Sequence, residues 1–371
     1  MRIVTACGLI FASMSACVVA QPEQAGAASG TTLRPMTVTV MRDPVDKSYR
    51  KMLKGMDLFE AMHGMAPNAS LRFKLLPRQP ETNMGGITLA IDANSVSIPV
   101  PVRPDNTFTL ERHQKALDED ATVASNRKTL SMTWRAEIRT PGLGENVRRL
   151  GDLRLECHVG MEADLVSNDR PSTFGSLFGA AANPDMRKRG YCDARKVNYL
   201  FFADRPLFSV TLVSGARREV LSVDALYAGL SDNDISNSDL PYCDCQVLLD
   251  RTYYLPLGDR SWPDDTLVEF EYMDGQTDTA AAPALARGAP IAVRSAVNAI
   301  IVGTSTRSDV LAALGNATAI SFANGYGEWV YRFSDDTSAR GAAPAKTEFV
   351  VLFSPSGIVT KTRLRVPPGA T

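Results

Sequence analysis

The most constraining feature of this chain is the strict alternation in its last three apolar stretches. In "GEWVYRF" Trp329, Tyr331 and Phe333 fall on one side and Glu328 and Arg332 on the other; "EFVVLF" aligns Phe349, Val351 and Phe353 in the same way. "TKTRLRV" then sets Thr362, Leu364 and Val366 opposite Lys361, Arg363 and Arg365. A period of two places alternate side chains on opposite faces of a strand, so these stretches predict a sheet with one aromatic face. The Pro/Gly turn in "SPSGIV" returns the chain antiparallel. An aromatic face needs a cover.

The cover precedes the strands. In "VGTSTRSDVLAALG", residues 302–315, Thr306 and Asp309 stand at capping-box spacing, each able to satisfy an orphan N–H of the first helical turn. Val310, Leu311 and Leu314 share a helical face, Gly315 stands where a helix stops, and Gly303 supplies the turn before it. A helix of about two turns is unstable alone and must pack on something. With "RSAVNAII" as a short first helix, residues 291–371 predict an α-α-β-β-β two-layer unit. It carries eight Lys/Arg against five Asp/Glu.

The rest of the chain reads differently. From residue 33 to 274 short extended patterns dominate, among them "MTVTV", "LRFKLL", "GITLAI", "VSIPVPV", "TWRAEIR", "LFSVTLV", "CQVLLD" and "TLVEFEYM". Their density predicts a β-rich, sandwich-like domain, making the chain α+β as a whole. One helix interrupts it in "DKSYRKMLKGMDLFEAMHGM", with Met52, Met56, Phe59 and His63 on one face. Such a face is read as core and not as a copper site. "GQTDTAAAPALARGAP", residues 275–290, lacks periodicity and reads as an interdomain linker.

The N-terminus reads as an export signal: Arg2, an apolar run from Ile3 to about Met14, then small residues. Met14-Ser15-Ala16-Cys17 is similar to a bacterial lipobox, which would make Cys17 the lipidated N-terminus; the competing cleavage follows Ala20, leaving a 1–20 signal peptide. The lipobox is the favoured reading, because the polar residues 21–32 form a tether suited to hold a folded body off a membrane. Val18 is not the aspartate that retains lipoproteins in the inner membrane, so the outer membrane is expected. Beyond residue 20 no apolar run approaches the ~20 residues of a spanning helix.

Export implies oxidised cysteines. Cys157, Cys192, Cys243 and Cys245 remain in the body, and a bridge within "CDC" would be strained. Cys243 and Cys245 are therefore each expected to reach one of Cys157 and Cys192. C-x-C spacing with only His158 adjacent argues against zinc, and no metal or other cofactor is expected.

Catalysis is not expected either. "SYRK" at 48–51 and "SNRK" at 125–128 match S-x-x-K, and Ser231-Asp232-Asn233 matches S-D-N, as in serine penicillin-binding enzymes. No K-T-G follows, and neither S-x-x-K heads a clear apolar helix. The net charge of −1 gives no reason to expect nucleic acid. Arg187, Lys188 and Arg189, near Cys192, are the candidate partner contact of the large region.

The order Gly303, Thr306, Val310, Leu314, Gly315, Trp329, Tyr331, Phe353 and Gly357, with "FVVLFSPSGIV" at the end, resembles the SmpA/OmlA (BamE-like) domain of outer-membrane assembly lipoproteins over residues 294–366. The resemblance implies a non-enzymatic envelope lipoprotein whose small domain binds envelope proteins, such as the β-barrel assembly machinery, or anionic lipid head groups. Lys361, Arg363 and Arg365 are the candidate lipid contacts. The same small fold occurs in secreted inhibitor proteins, so a periplasmic binding or inhibitor module recognising a protein or peptide is the alternative.

Overall fold

A computed structural model of the chain describes residues 46–127, 131–165, 190–194, 199–228, 248–275, 298–333 and 347–366. The signal, Cys17, the tether, Arg187, Lys188, Arg189, Cys243, Cys245, Ser231-Asp232-Asn233 and all of the expected linker except Gly275 lie outside these residues. The described residues belong to one compact unit.

The chain begins with β1 (Lys47–Ser48), α1 (Tyr49–Ala61), β2 (Ser70–Pro77), β3 (Leu89–Asp92), β4 (Ser97–Val100) and β5 (Thr107–Phe108). It continues through α2 (Gln114–Asp118), β6 (Thr122–Ser125), β7 (Met132–Arg139), β8 (Val147–Arg149) and α3 (Leu150–Glu162). Next come β9 (Phe201–Phe202), β10 (Leu207–Ser214), β11 (Arg217–Val220), β12 (Thr252–Tyr253) and β13 (Leu267–Tyr272). Last are α4 (Arg307–Leu314), β14 (Thr318–Ser321), β15 (Gly327–Phe333), β16 (Thr347–Phe353) and β17 (Val359–Arg365).

The fold is mixed, with more strand than helix, divided among several sheets. In the body these are β1-β6-β3-β4, β5-β2-β7, β11-β10-β13-β8 and the pair β12-β9. "LRFKLL" and "TWRAEIR" pair antiparallel as β2 and β7, and "LFSVTLV" and "TLVEFEYM" as β10 and β13. The described part of "CQVLLD" is not a strand; Leu249–Arg251 is a short 3-10 turn.

The periodicity concealed α3. Leu150, Leu153 and Cys157 project from it into one core, whereas Leu155 and Val159 project into another with Ala163 beyond its end. A helix buried on opposite sides carries no single apolar stripe. Asp152, Arg154 and Glu156 on it are buried too, each with partners. Asp152 accepts from the Thr140 amide and hydroxyl, both at 2.8 Å. Arg154 pairs with Asp264 at 2.5 Å and donates to the carbonyls of Leu257, Asp259 and Trp262. Gly151 fixes how closely the chain packs here, since a Cβ on it would lie 2.2 Å from the Met65 carbonyl oxygen.

α1 forms where the sequence predicted a helix, with the Ser48 hydroxyl capping it by accepting from the Lys51 amide at 3.4 Å. Met52 is fully buried and Met56 and Phe59 pack on the same core. The His63 ring lies 4.7 Å from that of Phe59, and its Nε2 is 3.0 Å from the Ala69 carbonyl oxygen.

The C-terminal strands form one antiparallel sheet in the order β14-β15-β16-β17. The unpredicted strand is β14, an edge strand pairing Thr318–Ser321 with β15. Of the expected first helix, Asn298 and Ala299 are helical and the preceding residues lie outside the description. Ile320, Val330, Val350 and Leu352 of this sheet enter the same core as Leu150, Phe208, Tyr227 and Phe270. The two regions expected on either side of a linker therefore share a hydrophobic core.

Candidate functional site

The motif residues between Gly303 and Gly357 are brought together by the packing of helix on sheet. The Thr306 hydroxyl accepts from the Asp309 amide at 3.3 Å, and Asp309 accepts from the Thr306 amide at 2.8 Å, so the capping box is complete. Those bonds hold the Asp309 carboxyl below the usual carboxylate range. Gly315 ends the helix at φ +74°, a conformation that favours glycine, while Gly303 donates to the Val359 carbonyl at 2.7 Å. Val310 is fully buried with Ile300, Tyr331, Phe349, Val351, Phe353 and Val359, and Leu314, Trp329 and Phe333 pack around them. Trp329 and Phe353 meet edge to face with centroids 4.9 Å apart, and the Tyr331 hydroxyl donates to the Gly315 carbonyl at 3.1 Å. Gly357 lies in the β16–β17 turn at φ +83°.

Leu311 departs from its expected role. It is 47% exposed, and with Ile301 (60%) and Val302 (41%) it makes up the exposed large hydrophobics among the described residues. These residues lie on α4 and in the turn before it. A short helix lying on a sheet buries a narrow stripe, and Val310 and Leu314 suffice to fill it.

The opposite face of the sheet overturns the expectation for the basic row. Lys361 and Arg363 are buried at 2% and 5% exposure. Lys361 pairs with Glu271 at 3.0 Å. Arg363 donates from Nη1 to the Phe208 carbonyl at 2.9 Å and lies over the Phe208 ring, and Arg365 donates from Nε to the Val220 carbonyl at 3.0 Å. Lys361 and Arg363 are not presented to lipid head groups, because the body covers them, and Arg365 is half-buried. Glu348 accepts from the Ser222 hydroxyl at 2.7 Å and the Val223 amide at 3.1 Å. Arg332 pairs with Asp224 at 2.7 Å and lies 3.6 Å from Glu348. Glu328 is fully buried and accepts from the Tyr227 hydroxyl at 2.6 Å. Burial pushes the Glu328 carboxyl up to about 7, against the pull of the Arg363 charge and the Tyr227 hydrogen bond.

A second polar cluster lines a cleft between β2, β7 and residues 199–204. Lys74 and Arg139 both pair with Asp204, at 2.5 and 2.7 Å, and both lie 3.3 Å from Glu137. Burial would raise the Asp204 carboxyl, but those two cations outweigh it and hold it down to about 2. Deeper in, Arg148 pairs with Glu156 at 2.5 Å; burial raises Glu156 despite that partner. Arg135 lies over the Phe202 ring, 4.4 Å from its centroid. Four cations, Lys74, Arg135, Arg139 and Arg148, here meet three carboxylates, Glu137, Glu156 and Asp204, an arrangement suited to holding β7 and α3 against residues 199–204.

The cysteines pair differently from expectation. Cys157 of α3 is bonded to Cys192 in the 3-10 turn Tyr191–Asp193, with Cα atoms 6.0 Å apart and both residues buried. The expectation that Cys243 and Cys245 each reach one of them fails, because the turn docks on α3 and brings Cys192 to Cys157. His158 lies 3.6 Å from Asp193 beside the bridge.

The first S-x-x-K stands at the start of an amphipathic helix, where Ser48 caps α1. Its Lys51 ammonium pairs instead with Asp164 at 2.5 Å. Ser125 ends β6, and Lys128 lies outside the described residues. Among the described residues, no group of three or more His, Cys, Asp or Glu side chains is placed to hold a metal ion.

Little in the sequence signals Glu328 and Tyr227. Glu328 occupies a polar position of an alternating strand, which normally means water, and Tyr227 lies in an aperiodic stretch. No known protein family, curated protein or solved structure matches the chain.

Proposed function

We propose that this chain is an exported, non-enzymatic cell-envelope lipoprotein, anchored through Cys17 at the periplasmic face of the outer membrane. Its C-terminal helix-on-sheet unit acts in protein interaction, in the manner of a BamE-like assembly or maintenance factor. The observation that carries the interaction reading is the concentration of exposed large apolar side chains, Ile301, Val302 and Leu311, on α4 and its preceding turn. Apolar side chains gathered on a surface mark contact sites more often than isolated ones do. The buried Cys157–Cys192 bridge supports export, since such bonds persist in oxidising compartments. Among the described residues no helix is long and apolar enough to cross a membrane.

With the basic row Lys361, Arg363 and Arg365 engaged by the body, the partner is a protein and not a lipid head group. The test is cross-linking and co-purification from Gram-negative cells expressing wild type, Leu311→Asp and Cys17→Ala. Envelope proteins that include β-barrel assembly components, lost with Leu311→Asp, are expected. Palmitate labelling of wild type and none of Cys17→Ala is expected with them. Recovery of a different periplasmic protein by an unlabelled wild type would favour the freely diffusing binding or inhibitor module.

A further inference from the structure

The joint between the C-terminal sheet and the body contains a proton inventory that does not balance when every carboxyl is ionised. The Tyr227 hydroxyl oxygen lies 2.6 Å from Glu328 Oε1 and 2.8 Å from the Leu207 carbonyl oxygen. A phenol has one proton to donate. If Glu328 is a carboxylate, both neighbours are acceptors and one is left without that proton, in a place closed to water. If Glu328 is protonated, its O–H donates to the Tyr227 oxygen and the Tyr227 O–H donates to Leu207. Both contacts are then satisfied in series.

The surroundings favour the second arrangement. Glu328 and Tyr227 are both fully buried, and Glu328 Oε2 has no hydrogen-bond partner. The Tyr227 ring packs edge-on against Phe322, 4.7 Å between centroids. Tyr227 and Ala228 hold left-handed φ values of +54° and +56°, a strained conformation for residues other than glycine. That backbone keeps the phenol between the two acceptors.

We infer that Glu328 is a proton-operated lock, which holds the C-terminal sheet to the body through Tyr227 and Leu207 while protonated and weakens that joint when its proton leaves. Of the charged groups around it, Arg363 of β17 opposes protonation, as does a hydrogen bond from Tyr227; Arg363 Nη1 donates to the Phe208 carbonyl, while its buried Nε and Nη2 have no hydrogen-bond partner. Glu348 of β16 is held by Ser222 and Val223, Arg332 of β15 by Asp224, and Lys361 of β17 by Glu271 of β13. Asp250, in the 3-10 turn Leu249–Arg251, accepts from Asn324 at 3.0 Å and adds negative charge on the Tyr227 side.

The direction with pH follows. Burial raises Glu328 from the ordinary 4.5 to about 7. Below that window both the folded and the unfolded chain carry the proton. Within it only the folded chain does, so stability falls as pH rises from about 4.5 to about 7 and levels off above. Full expression of this shift is about a 300-fold change in the folding equilibrium.

The test is urea unfolding of the full chain from pH 5 to pH 8.5, comparing wild type with Glu328→Gln. The glutamine amide is permanently neutral and can donate to Tyr227. The variant is expected to lie within a few-fold of wild type at pH 5 and to gain on it as the pH rises, by about 70-fold in the equilibrium constant between pH 5 and pH 8. A difference that stays constant with pH overturns the lock. Should Glu328→Gln fail to fold, carbon-13 titration of the glutamate carboxyls in wild type decides the matter. One carboxyl titrating near pH 7 is expected, and titration of all of them below pH 5.5 overturns the proposal.

Discussion

The two faces of the C-terminal sheet are built from the same alternating strands and solve opposite problems. On one face Phe349, Val351 and Phe353 meet Val310 beneath a capped helix, with little polar chemistry to satisfy. On the other, Glu328, Glu348, Lys361 and Arg363 are as deeply buried, interleaved with Val330, Val350 and Leu352 against the body. The aromatic face is held by apolar contact, which is indifferent to pH. The ionic face depends on each buried charge keeping its partner. Alternation shows which side chains share a face; it does not show what covers it.

The largest expected effect removes the centre of the aromatic face. Phe349→Ala should cost about 4 kcal/mol of unfolding free energy, by the same amount at pH 5 and pH 8 in urea titrations. Next is the body core beneath the ionic face, where Cys157 and Cys192 contribute. Replacing both with Ser should cost about 3 kcal/mol by releasing the loop they close, and calorimetry should show that loss adding to that of Phe349→Ala. Glu348→Ala leaves the Ser222 hydroxyl and the Val223 amide without their acceptor. A loss of about 2 kcal/mol is expected, and Glu348→Gln should recover part of it. Smallest is the cap: Thr306→Ala should cost about 1 kcal/mol. Because bonds to Thr306 lower the Asp309 carboxyl, the cap contribution is present above its ordinary range and fades as the pH falls through its folded value. The Thr306→Ala deficit should therefore shrink toward pH 3.

What was legible in the sequence follows the same division. The helix at Arg307–Leu314 and strands β15 to β17 were readable because capping and alternation are local signals. β14 was missed because "TAIS" is short and only Ile320 of its side chains is buried. α3 was hidden by being buried on two sides, and Asp152, Arg154 and Glu156 look like surface residues until their partners are known. The cysteine pairing depends on where the Tyr191–Asp193 turn docks, which spacing does not encode. Glu328 shows the limit most clearly: its position was read correctly and its environment was not, since the covering surface comes from residues about a hundred positions earlier.

Amide hydrogen exchange compares the two regions most directly. After correction for intrinsic rates, protection of β15 and β16 at pH 6 should equal that of α3, as expected of elements sharing one core. At pH 8 the sheet should lose protection relative to α3 in wild type and keep it in Glu328→Gln. A sheet that exchanges independently of α3 at pH 6, or that tracks α3 equally at both pH values, would contradict a proton-dependent joint.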